Sequence, residues 1–143
     1  MYISMSRGFP LFAAVLVIGA CTVTSEQPTA EAEMIEGFLA GSAVRYAVQD
    51  YAIEHGSLPA SNADLGLPEP EAYARGALAA VAVGDRGRIT LTFNDRSGVD
   101  GGTIQLVPIA SDALYGMQWD CRTASYEGIQ SWAPACRYAP AEQ

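Results

Sequence analysis

Three cysteines, a single histidine and sixteen carboxylates are the side chains of this 143-residue chain that could carry chemistry. His55 is the natural first candidate for a general base. It falls beside Gly56, at the point where a helical pattern stops, and there an imidazole serves to cap the last carbonyls. No nucleophile stands in a recognisable turn context, so the chain is read as non-enzymatic, with no catalytic residue. Gly98, Gly101 and Gly102 follow none of the spacings that cradle a phosphate and read as a hairpin turn. Asp95, Asp100 and Gly101 share residue types with a calcium loop but have neither its spacing nor its closing Glu. One His and widely separated Cys do not make a ligand set, so no metal and no cofactor are expected. All eight basic residues are Arg, and against sixteen acids they leave a net charge of −8. A chain this acidic has no general footprint for nucleic acid phosphates, and no nucleic acid partner is expected. Arg86, Arg88 and Arg96 lie close in sequence and read as solvated strand ends and turns.

The odd cysteine count needs an explanation, and the N-terminus offers one. Arg7 is the only charge before an apolar run from Phe9 to Ala20. That run is about 12 residues, too short for the roughly 20 that span a bilayer. It suits the apolar region of a cleaved export signal. Ile18-Gly19-Ala20-Cys21 resembles the lipobox of bacterial lipoproteins: an aliphatic residue, two small residues, then Cys. By that resemblance Cys21 carries a diacylglycerol, and Thr22 after it points to the outer membrane. The alternative is an ordinary secretory signal whose apolar region happens to end in Cys. With Cys21 acylated, Cys121 and Cys136 remain, and an oxidising periplasm suits their pairing. Fifteen residues apart, they would close a loop contributing about 3 kcal/mol by restricting the unfolded chain.

These features must be positioned by a folded body, and half of the residues are apolar, enough for a core. Residues 1–20 read as the signal, 21–32 as a polar tether and 33–143 as one domain. From Ala32 to His55 the apolar residues recur at helical spacing, with Val44, Ala47, Val48 and Tyr51 on one face and Ala40 and Gly41 extending it. Glu31, Glu33 and Glu36 suit the positive end of the helix dipole. Gly56 and Pro59 end it, and Ser57 to Glu71 is a Pro/Gly loop. The period then becomes two. Leu78–Val83 and Arg88–Phe93 flank the turn Gly84-Asp85-Arg86-Gly87 and predict a hairpin, with Ile89, Leu91 and Phe93 inward. Thr103–Val107 is a third strand. Leu114–Cys121 is a fourth, with Tyr115, Met117, Trp119 and Cys121 on one face. No helix intervenes between strands, so the sheet is an antiparallel meander. The helix must cover it, because neither can bury its apolar surface alone.

Val44-Arg45-Tyr46-Ala47-Val48-Gln49-Asp50-Tyr51, then Gly56, Leu58-Pro59, Asn62 and Gly66-Leu67, resemble the passage from helix to loop in type IV pilins. Gly87 to Phe93 and Gly102 to Pro108 resemble that family's second and third strands. Trp119-Asp120-Cys121 and Trp132-Ala133-Pro134-Ala135-Cys136-Arg137 resemble its fourth strand and closing cysteine. The resemblance spans residues 37 to 137. It implies an α+β fold: a long N-terminal helix packed on a four-stranded antiparallel sheet with a C-terminal disulfide loop. It also implies partners among pilin subunits, pilus machinery or a surface receptor. The front of the chain departs from the family, because the long apolar helix of a pilin is replaced by the short lipobox signal. Arg7-Gly8-Phe9 does resemble a prepilin cleavage site, although Ala13 stands where the family has Glu.

The expected function is therefore a lipid-anchored pilin-like envelope protein, periplasmic or surface-exposed, acting in pilus assembly, modulation or adhesion. The alternatives are a minor pilin processed at Gly8-Phe9 and a small envelope enzyme inhibitor. Tyr126, Trp132 and Tyr138, in and beside the disulfide loop, read either as loop packing or as a partner surface, since aromatics make good interface anchors.

Overall fold

The computed structural model of the protein describes residues 29–109 and 116–140. The expected signal, Cys21 and the tether up to residue 28 lie outside the described residues, as do Leu114 and Tyr115.

Helix α1, Ala30–Ser42, opens two residues before the expected Ala32, so residues 30–32 are helical and not tether. The reason is Thr29, whose Oγ1 accepts the N–H of Ala32 at 3.2 Å and caps the first turn. The expected single helix is interrupted at Ala43 before α2, Val44–His55. Ala43 keeps helical angles (φ −62°, ψ −26°), so the chain continues in the same sense. Gly41 and Ser42 weaken the ladder at this point. The Ser42 carbonyl accepts Arg45 Nε at 3.1 Å in place of a backbone donor. Gly56 ends α2 in the left-handed region (φ 66°) and donates to Ala52 O at 2.9 Å. As expected, His55 is a cap: its Nδ1 lies 3.0 Å from Tyr51 O, and its ring stacks on Tyr51 at 4.0 Å.

Among the described residues the sheet has five strands in the order of the chain: β1 Leu78–Gly84, β2 Arg88–Phe93, β3 Thr103–Ile109, β4 Gln118–Thr123 and β5 Cys136–Tyr138. The first four form the expected antiparallel meander. The fifth strand was not expected and lies parallel to β4. Three residues are too few to show a period, and a parallel neighbour needs a crossover of about a dozen residues. The disulfide loop supplies that crossover. Among the described residues the fourth strand starts at Gln118, because Gly116 (φ 86°) sits in the left-handed region just before it.

The helices cover one face of the sheet. Leu78, Val81, Ile89, Leu91, Phe93 and Ile104 are wholly buried there, under Met34, Val44 and Val48. Each such side chain contributes about 1.5–3 kcal/mol. The helix face in contact is Gly37, Gly41, Val44, Val48 and Ala52, while Ala47 and Tyr51 are only half-buried. The two glycines set how near the helix lies. A Cβ on Gly37 would sit 2.9 Å from Leu78 Cβ, and one on Gly41 would overlap the Leu91 side chain.

The edge of β1 is closed by the loop after α2. Asn62, buried, donates from Nδ2 to Val81 O (3.0 Å) and Pro68 O (2.9 Å) and accepts from Val83 N–H (2.6 Å). Its carboxamide thus pairs with the strand as a neighbouring backbone would, and an exposed edge is avoided. Ser61 and Asp64 form a reciprocal cap that fixes the loop: Asp64 Oδ2 accepts from Ala60 and Ser61, and Ser61 Oγ accepts from Asp64 N–H. At the other end of the fold Arg96, in the β2–β3 turn, pairs with the buried carboxylate of Glu33 on α1. Arg96 is therefore a tie between turn and helix, while Arg86 and Arg88 are exposed. No helix among the described residues is long and apolar enough to cross a membrane.

Candidate functional site

Cys121 and Cys136 are bonded to each other, with Cα atoms 4.4 Å apart. They face one another across the β4–β5 pair, and both are buried. Beside them Arg137 Nε and Nη2 reach Asp120 Oδ1 and Oδ2 at 3.1 and 2.9 Å. The segment bounded by the disulfide turns back toward the start of α1. Ile129, wholly buried, anchors it, and Ser131 Oγ donates to Gly128 O at 2.9 Å.

The three aromatics of this region do not share one exposed patch. Tyr126 is buried, its ring edge-on to Phe93 at 5.9 Å and its hydroxyl 2.8 Å from Ser97 Oγ. It belongs to the core, which corrects its place in a partner surface. Burial pushes its phenol pKa up, against a smaller opposing pull from the Ser97 hydrogen bond. The hydroxyl passes close over Gly102, where a Cβ would overlap it. Trp132 is half-buried and meets Phe38 of α1 edge-on at 5.8 Å. This contact docks the loop on the helix. Tyr138, on the short last strand, is the one of the three on open surface, at 40 % exposure.

Between the first turn of α1 and the loop lies an open cleft of about 400 Å³. Met34 and Ile129, both buried, form its floor beside Trp132. Exposed Glu31 and Glu127 stand on its rim. A second surface feature lies along the helices: Leu39 and Tyr46, seven residues apart, are 64 % and 70 % exposed. Two turns of helix put such residues on one side. Among the described residues, no three side chains are grouped so as to hold a metal ion.

Sequence reasoning named Trp132 and both bonded cysteines but missed Phe38, Ser97 and the edge-capping part of Asn62. For Phe38 a signal was present, a large aromatic four residues after Met34 on the same helix. Ser97 and Asn62 find partners 29 and 21 residues away, and nothing local marks such pairs.

A family model described as pilin, of bacterial filaments, matches residues 30–142. No curated protein matches the chain.

Proposed function

The chain belongs to the pilin family, and from that premise we propose that it is a non-enzymatic, lipid-anchored protein acting in type IV pilus assembly, modulation or adhesion. As a pilin-family member it is a structural protein of the cell envelope or surface, of a kind associated with pilus subunits or machinery. The observation that carries the proposal is the extent of the match, which takes in both helices, all five strands and the bonded cysteines.

The lipid anchor is supported by the lipobox-like Ile18-Gly19-Ala20-Cys21 and by cysteine accounting. Of three cysteines, Cys121 and Cys136 are bonded, and Cys21 is the one left over. Several acyl chains would give stable attachment where one alone is marginal. Labelling of cells with palmitate tests this directly. The wild type incorporates label and Cys21→Ser does not. A mature protein that begins at Phe9 and carries no lipid would instead make it a minor pilin.

Contacts to other pilus proteins are assigned to the exposed Leu39 and Tyr46. Replacing both by Asp leaves the melting temperature within experimental error, since surface changes usually act within ±0.5 kcal/mol. It abolishes co-purification of pilus components from a cross-linked envelope. Deletion of the gene changes the number of surface pili. If pili and adhesion are untouched by deletion, the pilus role is withdrawn.

A further inference from the structure

We propose that the cleft between the first turn of α1 and the disulfide-bounded loop receives an arginine side chain of a partner polypeptide. The inference rests on the reading of this protein as one that works through protein contacts, and it adds a second contact, apart from Leu39 and Tyr46, with its own chemistry.

Three observations carry it. The first is shape and floor. A cleft of about 400 Å³ bottomed by Met34, Ile129 and Trp132 can bury an apolar stem. The second is charge. Glu31 and Glu127 on the rim are both acidic, and among the described residues no basic one lines the cleft. Neither carboxylate forms an ion pair among the described residues, where the basic partners go to Glu33 and Asp120. Two unneutralised carboxylates over an apolar floor call for a cation at the end of a long stem. The third is the indole of Trp132. It meets Phe38 at nearly a right angle, which fixes its position in the wall of the cleft. A guanidinium stacks on an aromatic ring and bonds a carboxylate through two parallel N–H groups, whereas an ammonium offers only a point charge. The net charge of −8 draws a basic partner in the same sense.

The cleft is lined by both the helix start and the loop, so an occupant would touch both elements at once. Tyr126 and Ser97, both in its lining, are hydrogen-bonded to each other, and Glu33 of the same helix start pairs with Arg96.

The test uses the full exported chain, labelled with ¹⁵N, and an acetylated, amidated tetra-arginine peptide. The indole N–H resonance of Trp132 is assigned by comparison with Trp132→Phe. The arginine peptide shifts this resonance saturably, and the shift weakens with added salt. A tetra-citrulline peptide, equal in shape and uncharged, leaves it in place. Glu31→Gln with Glu127→Gln, both exposed and isosteric, retains the folded spectrum and weakens binding by about tenfold or more. Equal shifts from citrulline, full affinity in the double variant, or no shift from arginine each overturn the proposal. A chain that binds arginine while its deletion leaves pili unchanged loses the pilus role and keeps the cleft. The converse result removes the cleft and leaves the role standing.

Discussion

Asn62 shows what one side chain contributes to this fold. Its three hydrogen bonds go to backbone groups, two of them on β1. Asn62→Ala strips Val81 O and Val83 N of their partner while they stay covered. The expected loss is about 2–4 kcal/mol, to be read as a lower urea midpoint at constant slope. Tyr126 gives a second residue-scale expectation. Burial raises its pKa above the ordinary 10, so the neutral phenol is the form that the fold retains. A group with a raised folded pKa contributes fully below its unfolded value, and the contribution is lost as pH rises through the folded value. Tyr73 is shifted in the same direction by burial, so the wild type alone does not isolate Tyr126. Tyr126→Phe should lose about 1 kcal/mol or less at neutral pH, because Ser97 Oγ keeps Asn94 O and Val99 O as partners. Above pH 10 the stability of Tyr126→Phe should fall less steeply than that of the wild type. Equal slopes in urea titrations across that range would remove Tyr126 as a cause of alkaline instability.

At the scale of elements, what was legible in the sequence is what local chemistry decides. The stop of α2 at Gly56, the His55 cap and the alternation of Ile89, Leu91 and Phe93 all follow from neighbours a few residues apart. What could not be read depends on distant contacts. β5 becomes a strand only because the chain returns to lie beside β4. Tyr126, in a segment without periodicity, read equally as loop packing or partner surface, because its cover comes from the distant Phe93 and Ser97. The pair Gly37 and Gly41 belongs to this class too. Their spacing is visible, but that they face Leu78 and Leu91 is a property of the packed layers. Gly41→Ala forces the helix away from β2 and should cost about 1–3 kcal/mol. Gly56→Ala, with open space around it but φ 66°, should cost about 1–2 kcal/mol, through backbone strain alone. Melting curves of the two variants, with a Leu91→Ala background for each, separate the mechanisms. Only the Gly41 loss should be relieved by shortening Leu91.

For the molecule as a whole, the expected architecture of a helix over an antiparallel sheet held, with one strand more than foreseen. The candidate site was legible only in part. The disulfide followed from counting thiols, whereas the cleft needed the loop to be folded against α1 before it existed. The bond also has a mechanical consequence. Should the protein be tethered at one end and gripped elsewhere, tension that unravels the sheet cannot draw out the segment between Cys121 and Cys136. Fourteen residues of chain, with the two cysteines about 50 Å of contour, stay withheld. A single molecule stretched between its termini should therefore lengthen by about 50 Å more under reducing conditions than under oxidising ones. Equal lengths would mean the sulfur bridge had already opened before the pull began. A protein at a cell surface that meets drag would in this way yield in short steps and recoil over a short distance.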